Sequence, residues 1–211
     1  LDKQGRPILA FNLALIGSVR NSDELAFVMG HEASHHIAGH LKRQKQNATA
    51  GAVLLGGLAA LTGANYALAV ASGGYAMATA LRACNVHAGD KVLTNAFTLA
   101  PVPGAIASLG AVPVFIGVTE NLTIDLADLE TKADQSKFLL LSHMRGHICD
   151  MDRLMEICTA AGITVIEDCA HTMGATFKDV PSGRHGAIGC YSCQTYKHVN
   201  SGEGGFVVTD D

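Results

Sequence analysis

Charge is scarce in this chain and never gathers into a basic block: charged residues make up 16% of the 211 positions, and the formal net charge is −4. Affinity for a polyanion rests on clustered Lys and Arg, so a nucleic-acid partner has no electrostatic ground here. The nearest approach to a cluster, Lys42-Arg43-Gln44-Lys45, reads as a solvated helix face. Regular cysteine spacing is also missing. Cys84, Cys149, Cys158, Cys169, Cys190 and Cys193 lie in apolar or strand-like surroundings, which predicts reduced thiols and a cytoplasmic setting instead of a disulfide framework. Cys190 and Cys193 make one CxxC, open to a redox reading, but no second CxxC completes a zinc ribbon. No basic region followed by an apolar stretch and a small-residue cleavage site opens the chain, so no signal peptide is read. Internal repeats and Pro/Ser-rich linkers are absent as well. Leu1 in place of an initiator Met, and Asp210-Asp211 directly after an apparent strand, predict a fragment.

A long stretch without charge runs from Ala48 to Leu81. Its length alone would admit a membrane span. Thr62-Gly63-Ala64-Asn65 and Ser72-Gly73-Gly74 interrupt it, however, and two buried soluble elements in succession are expected. Before it, residues 7–16 read as a strand and turn, and residues 22–46 as a helix. That helix is capped at Asn21, Ser22 or Asp23 and striped by Leu25, Val28, Met29, Ala33 and Ile37. From Tyr66 onward helical stretches alternate with short apolar strands. Helices are expected at 74–83, 101–109 and 150–161, and strands at 91–94, 112–116, 138–142, 164–167, 189–192 and 205–209. Such alternation predicts an α/β fold, a mostly parallel sheet with helices on its faces, preceded by a mainly helical segment. Ligands then belong at the carboxyl ends of the strands. The domains expected are 1–65 and 66–211.

Two positions in the α/β part carry chemistry. Asp168 ends an apolar strand in Val165-Ile166-Glu167-Asp168, and Lys197 follows it in Tyr196-Lys197-His198, ahead of Gly202-Glu203-Gly204-Gly205. A lysine amine can form a Schiff base with an aldehyde cofactor, and a carboxylate can keep a pyridine nitrogen protonated. The pair points to pyridoxal 5'-phosphate. Taken singly, each has a plain alternative: a surface lysine, a strand-end turn.

The ordered motifs decide between these readings. Ser72-Gly73-Gly74-Tyr75-Ala76-Met77, Ala88-Gly89-Asp90-Lys91-Val92, Phe97, His143-Met144-Arg145-Gly146, Glu167-Asp168 and Lys197 follow one another in the pattern of a known family. Residues 66–211 resemble the large domain of the DegT/DnrJ/StrS-type sugar aminotransferases, fold-type I pyridoxal phosphate enzymes. The resemblance implies that Ser72, Gly73, Gly74 and Ser192 hold the cofactor phosphate, with the helix start supplying amides and dipole. It also implies that Phe97 stacks on the ring, Asp168 meets the ring nitrogen, His171 lies near the ring hydroxyl, and Lys197 is the catalytic amine. An amino-acid donor, a sugar or related carbonyl acceptor and a homodimer follow from the same likeness. The sequence departs from the pattern at Gly74, where Thr is usual, and at His171, where Gln is usual; the family's small C-terminal domain and N-terminal arm are not matched.

A second chemistry stands near the other end. His31-Glu32-Ala33-Ser34-His35 is an HExxH, which sets two histidines one helical turn apart to share a zinc ion beside a Glu that can act as general base. With the preceding Asp23-Glu24-Leu25-Ala26-Phe27-Val28-Met29-Gly30, residues 1–64 resemble a piece of an HtpX- or BepA-type zinc metallopeptidase. That likeness implies His31 and His35 as ligands and Glu32 as the base. Its third ligand, a Glu in an ExxxD, is matched by Glu130 and Asp134, where coincidence is the reading preferred; His36 or His40 are alternatives. Three functions follow: the aminotransferase, inactive if the fragment is incomplete; a zinc peptidase; and a non-catalytic fusion of two gene fragments.

Overall fold

The computed structural model describes residues 62–199 and 201–211, which fall within one compact unit, Leu54–Asp211. The expected elements at 7–16 and 22–46, and with them His31, Glu32 and His35, lie outside the described residues. Among the described residues the strands are β1 (Tyr66–Val70), β2 (Lys91–Asn95), β3 (Val112–Ile116), β4 (Phe138–Ser142), β5 (Thr164–Asp168), β6 (Thr176–Phe177), β7 (Val180–Pro181), β8 (Ile188–Ser192) and β9 (Gly205–Thr209). The helices are α1 (Gly73–Ala83), α2 (Pro101–Ser108), α3 (Leu126–Lys132) and α4 (Met151–Ala161).

Seven strands form one sheet in the order β1-β9-β8-β5-β4-β2-β3, and β6 with β7 makes a separate antiparallel hairpin. The stretch from β8 to β3 is parallel throughout; β9 and β1 add an antiparallel edge. Parallel strands covered on both faces must be apolar at nearly every position, and β4 (Phe-Leu-Leu-Leu-Ser) is written that way. Successive side chains leave opposite faces. Leu140 and Ile166 accordingly pack with α1 and α2, while Leu139, Leu141 and Val165 pack with Leu129 of α3 and Met151, Leu154 and Ile157 of α4.

Caps set the helix boundaries. Asp150 lies outside α4 and accepts from the Arg153 amide, and Gly162 (φ 65°) ends that helix in the left-handed region where a Cβ would be strained. Asp125 caps α3 through the amides of Ala127 and Asp128. α1 begins at Gly73, with Ser72 accepting from the Tyr75 amide. β1 was not expected. It lies inside the uncharged stretch, and its hydrogen bonds are made with β9 at the far end of the described chain. Among the described residues no helix is long and apolar enough to cross a membrane.

Cys190 and Cys193 do not pair: Cys190 packs in the cluster under α1 and Cys193 in another formed with Tyr191 and Phe206. Burial raises both thiols, which opposes the redox reading of the CxxC.

Candidate active site

The carboxyl ends of the parallel strands converge on one polar constellation. Asn95, Ser142, Asp168 and Ser192 are the last residues of β2, β4, β5 and β8. The register sets Ser142 opposite Asp168. Ser142 donates to Asp168 Oδ2 (3.0 Å) and receives a hydrogen bond from Thr98 (2.8 Å), while the Ala170 amide donates to Asp168 Oδ1 (3.1 Å). Asn95 locks β2 to β4 from both sides of its amide: Oδ1 accepts from the Ser142 N–H (2.8 Å) and Nδ2 donates to the Ser142 carbonyl (2.9 Å). Asp168 is thus a nearly buried carboxylate, 8% exposed, held in one orientation by the last residue of β4 and the turn after β5.

Beneath it lies a second carboxylate. Glu167, fully buried, accepts from His143 Nε2 and the Gly183 amide at Oε2 (both 2.9 Å). At Oε1 it accepts from the amides of His185 (2.8 Å) and Gly186 (2.7 Å). Burial pushes this carboxyl up, but His143 and the Gly186 and Gly183 amides together outweigh that, and the net direction is down. His143, Glu167 and Cys169 bring potential metal-ligand atoms within 4.8 Å of one another. Glu167 is already saturated by N–H donors, so this cluster is a hydrogen-bonded brace and not a metal centre.

Lys197, on the loop after β8, reaches across to His171 on the turn after β5: Nζ and Nε2 are 2.7 Å apart. The Arg145 backbone amide donates to the other ring nitrogen, Nδ1 (3.3 Å). Burial lowers the Lys197 amine, with Asp168 opposing and Arg145 reinforcing. His171 is lowered by burial first and then by Lys197, against an opposing pull from Asp168.

These groups line a single cleft of about 320 Å³, with Ser72, Gly73 and Gly74 of the α1 start, Ser192, Asp168, His171 and Lys197 all on its wall. A Cβ built on Gly73 would lie 2.8 Å from Ser192 Cβ, so the start of α1 approaches β8 as closely as only glycine allows. That approach places the positive end of α1 and the hydroxyls of Ser72 and Ser192 on one wall, a donor set suited to a phosphate. Phe97 is the exception among the expected residues. Half-buried, it is not among the residues lining the cleft; its carbonyl receives Asn95 Nδ2 (3.2 Å), and Leu99, Pro101 and Val102 provide the apolar wall.

Sequence reasoning passed over Asn95, Thr98, Ser142 and the Arg145 amide. Small polar residues ending apolar strands were the available signal for Asn95 and Ser142. Nothing in the sequence marks a backbone amide, and that of Arg145 is aimed by the left-handed conformation of its own residue (φ 56°). Glu130 of the ExxxD match is engaged on the surface with Arg153 (3.0 Å).

A model of the DegT/DnrJ/EryC1/StrS aminotransferase family matches residues 54–211, and one of peptidase family M48 matches residues 4–98. The L-glutamine:scyllo-inosose aminotransferase of Streptomyces griseus is 37% identical over 67% of this chain and 34% of its own length. The GDP-perosamine synthase of Escherichia coli O157:H7 is 34% identical over 69% of this chain and 41% of its own length. Among solved structures, the aminotransferase from Psychrobacter cryohalolentis superposes with a TM-score of 0.70 at 35% identity, covering 72% of this chain and 40% of that one. The chain therefore spans less than half the length of these relatives.

Proposed function

As the chain belongs to the DegT/DnrJ/EryC1/StrS aminotransferase family, we propose that its cleft binds pyridoxal 5'-phosphate and serves amino transfer from an amino acid to a ring carbonyl of a sugar or cyclitol. One observation carries the reading: Lys197, Asp168 and the start of α1 face one cleft, although the sequence separates them widely. The cofactor, when bound, supplies an aldehyde for amine exchange and a ring that accepts electrons. Asp168, fixed by Ser142 and the Ala170 amide, offers the negative charge that holds a proton on a ring nitrogen. Ser72, Ser192 and the amide end of α1 anchor the phosphate. Lys197 would supply the amine that joins the cofactor aldehyde and would serve as the base that moves a proton at the substrate carbon. Small-molecule donors and acceptors follow from the relatives' names, which include an inosose and a perosamine enzyme.

A homodimer in the cytoplasm belongs to the same proposal. Its support in the fold is apolar surface beside the cleft, where Tyr75 of α1 is 62% exposed and Leu99 on the cleft wall 45%. The division at 65/66 is likewise proposed, on β1, the first strand of the described residues, which begins at Tyr66; the family match itself begins at residue 54.

The reading is tested by incubating the purified chain with pyridoxal 5'-phosphate, reducing with borohydride and mapping the modified lysine by mass spectrometry. Cofactor on Lys197 is the expected result. Cofactor spread over exposed lysines such as Lys178 would sink it. The M48 match leaves His31 and His35, with Glu32, as a subordinate zinc proposal. Zinc content unchanged by His35→Ala would remove it.

A further inference from the structure

Both ring nitrogens of His171 have a hydrogen-bond partner. Its Nδ1 faces the Arg145 N–H, a backbone group that can only donate, so Nδ1 must carry a lone pair. A neutral imidazole holds its single proton on the other nitrogen, which puts the proton on Nε2. Nε2–H then points at Lys197 Nζ, 2.7 Å away. An ammonium has three N–H groups and no lone pair, and two donors would meet head-on. A neutral amine has the lone pair required.

We propose that the Arg145 amide, by occupying Nδ1, fixes the Nε2–H tautomer of His171 and thereby holds Lys197 as a neutral amine in the cofactor-free site. The proton given up by the ammonium goes to solvent through the open cleft. His171 is a positioning residue in this scheme, acting through Lys197. A neutral amine is the form that attacks a carbonyl, so the device prepares Lys197 for the cofactor aldehyde; that consequence rests on the function proposed above, whereas the tautomer does not. The charged groups facing the pair are Asp168 at the end of β5, Arg145 on the turn after β4 and His198 on the Lys197 loop. Asp168 pulls toward the ammonium; Arg145 and burial oppose it, and the net direction for Lys197 is down. The geometry and the charge balance therefore favour the same state.

The test uses the cofactor-free chain. Two-bond couplings in ¹⁵N-histidine spectra read the tautomer, and competitive acetylation across pH, mapped by mass spectrometry, reads the titration midpoint of Lys197 against Lys178, which Asp152 holds up. In the wild type, His171 is expected as the Nε2–H form and Lys197 to remain reactive at lower pH than Lys178. His171→Gln can turn its amide oxygen to an ammonium, and loss of a hydrogen bond worth about 1.4 kcal/mol raises the Lys197 midpoint by about one pH unit. His171→Asn, too short to reach, serves as the second variant and is expected to raise it as well. An Nδ1–H tautomer in the wild type, or a Lys197 midpoint unmoved in both variants, overturns the proposal. Failure of borohydride trapping with tautomer and midpoint as expected would overturn the functional reading instead and leave the tautomer standing.

Discussion

Glu167→Gln is expected to lower folding stability by about 3 kcal/mol or more, since removing an acceptor strands buried N–H donors at about 1–3 kcal/mol each. The side chain is fully buried, and its partners are all N–H groups: His143 Nε2 and the amides of Gly183, His185 and Gly186. A carboxylate accepts from all of them. A glutamine amide has one accepting oxygen, and either orientation turns its NH₂ toward at least one backbone donor, Gly183 or the pair His185 and Gly186, leaving buried N–H groups unpaired. The loop carrying those amides has little room to move, since a Cβ on Gly186 would lie 2.5 Å from the Val165 carbonyl. For a chain of this size the change corresponds to a fall in melting temperature of about 10 °C or more. Urea denaturation measures it, and a loss below about 0.5 kcal/mol would mean that solvent reaches these groups. The pH dependence has a definite sign. The folded carboxyl is lowered, so its contribution is fully present above the ordinary glutamate value of about 4.3 and is lost as pH falls through the folded value. The Glu167→Gln chain lacks that titration and is expected to show a flatter acid limb.

That brace was invisible to sequence reasoning, although Glu167 directly precedes Asp168. An acidic residue next to a candidate catalytic one reads as solvated or functional; its burial is decided by β8 and the 183–186 loop closing over it, a tertiary event. The strands that carry the site were legible because a parallel strand buried on both faces must be written in apolar residues, as Phe138 to Ser142 are. β3, β4 and β9 have the bounds expected of them. The ends of the expected helices moved by one residue: Asp150 and Leu109 fall just outside α4 and α2 and α1 begins at Gly73, while α3 was not among those expected. β1 escaped because an edge strand half open to solvent, paired only with β9, carries neither a buried run nor a local turn signal. The convergence of Ser72, Asp168, His171, Ser192 and Lys197 was anticipated from motif order, which periodicity alone does not supply. Phe97 is not among the residues lining the cleft; its carbonyl is held by Asn95 in a turn that leaves Leu99 on the cleft wall.

Lys197→Ala is expected to abolish the borohydride-stable cofactor adduct while leaving the fold intact. Its amine is the one basic nitrogen of the cleft wall that can form a Schiff base, and among the described residues its side-chain hydrogen bond is made to His171. Burial disfavours the charged amine here, so below its ordinary value of about 10.4 the group works against folding, and stability rises with pH as it deprotonates. Removing it therefore relieves a cost. The variant should be at least as stable as the wild type near neutral pH, the pattern expected where a site is built for reaction at the expense of stability. Mass mapping and urea denaturation on the same preparation read the two effects separately. Adduct lost with stability kept assigns Lys197 to chemistry; stability lost as well would make it a structural tether of the loop after β8; and an adduct retained on another lysine would move the site out of this cleft.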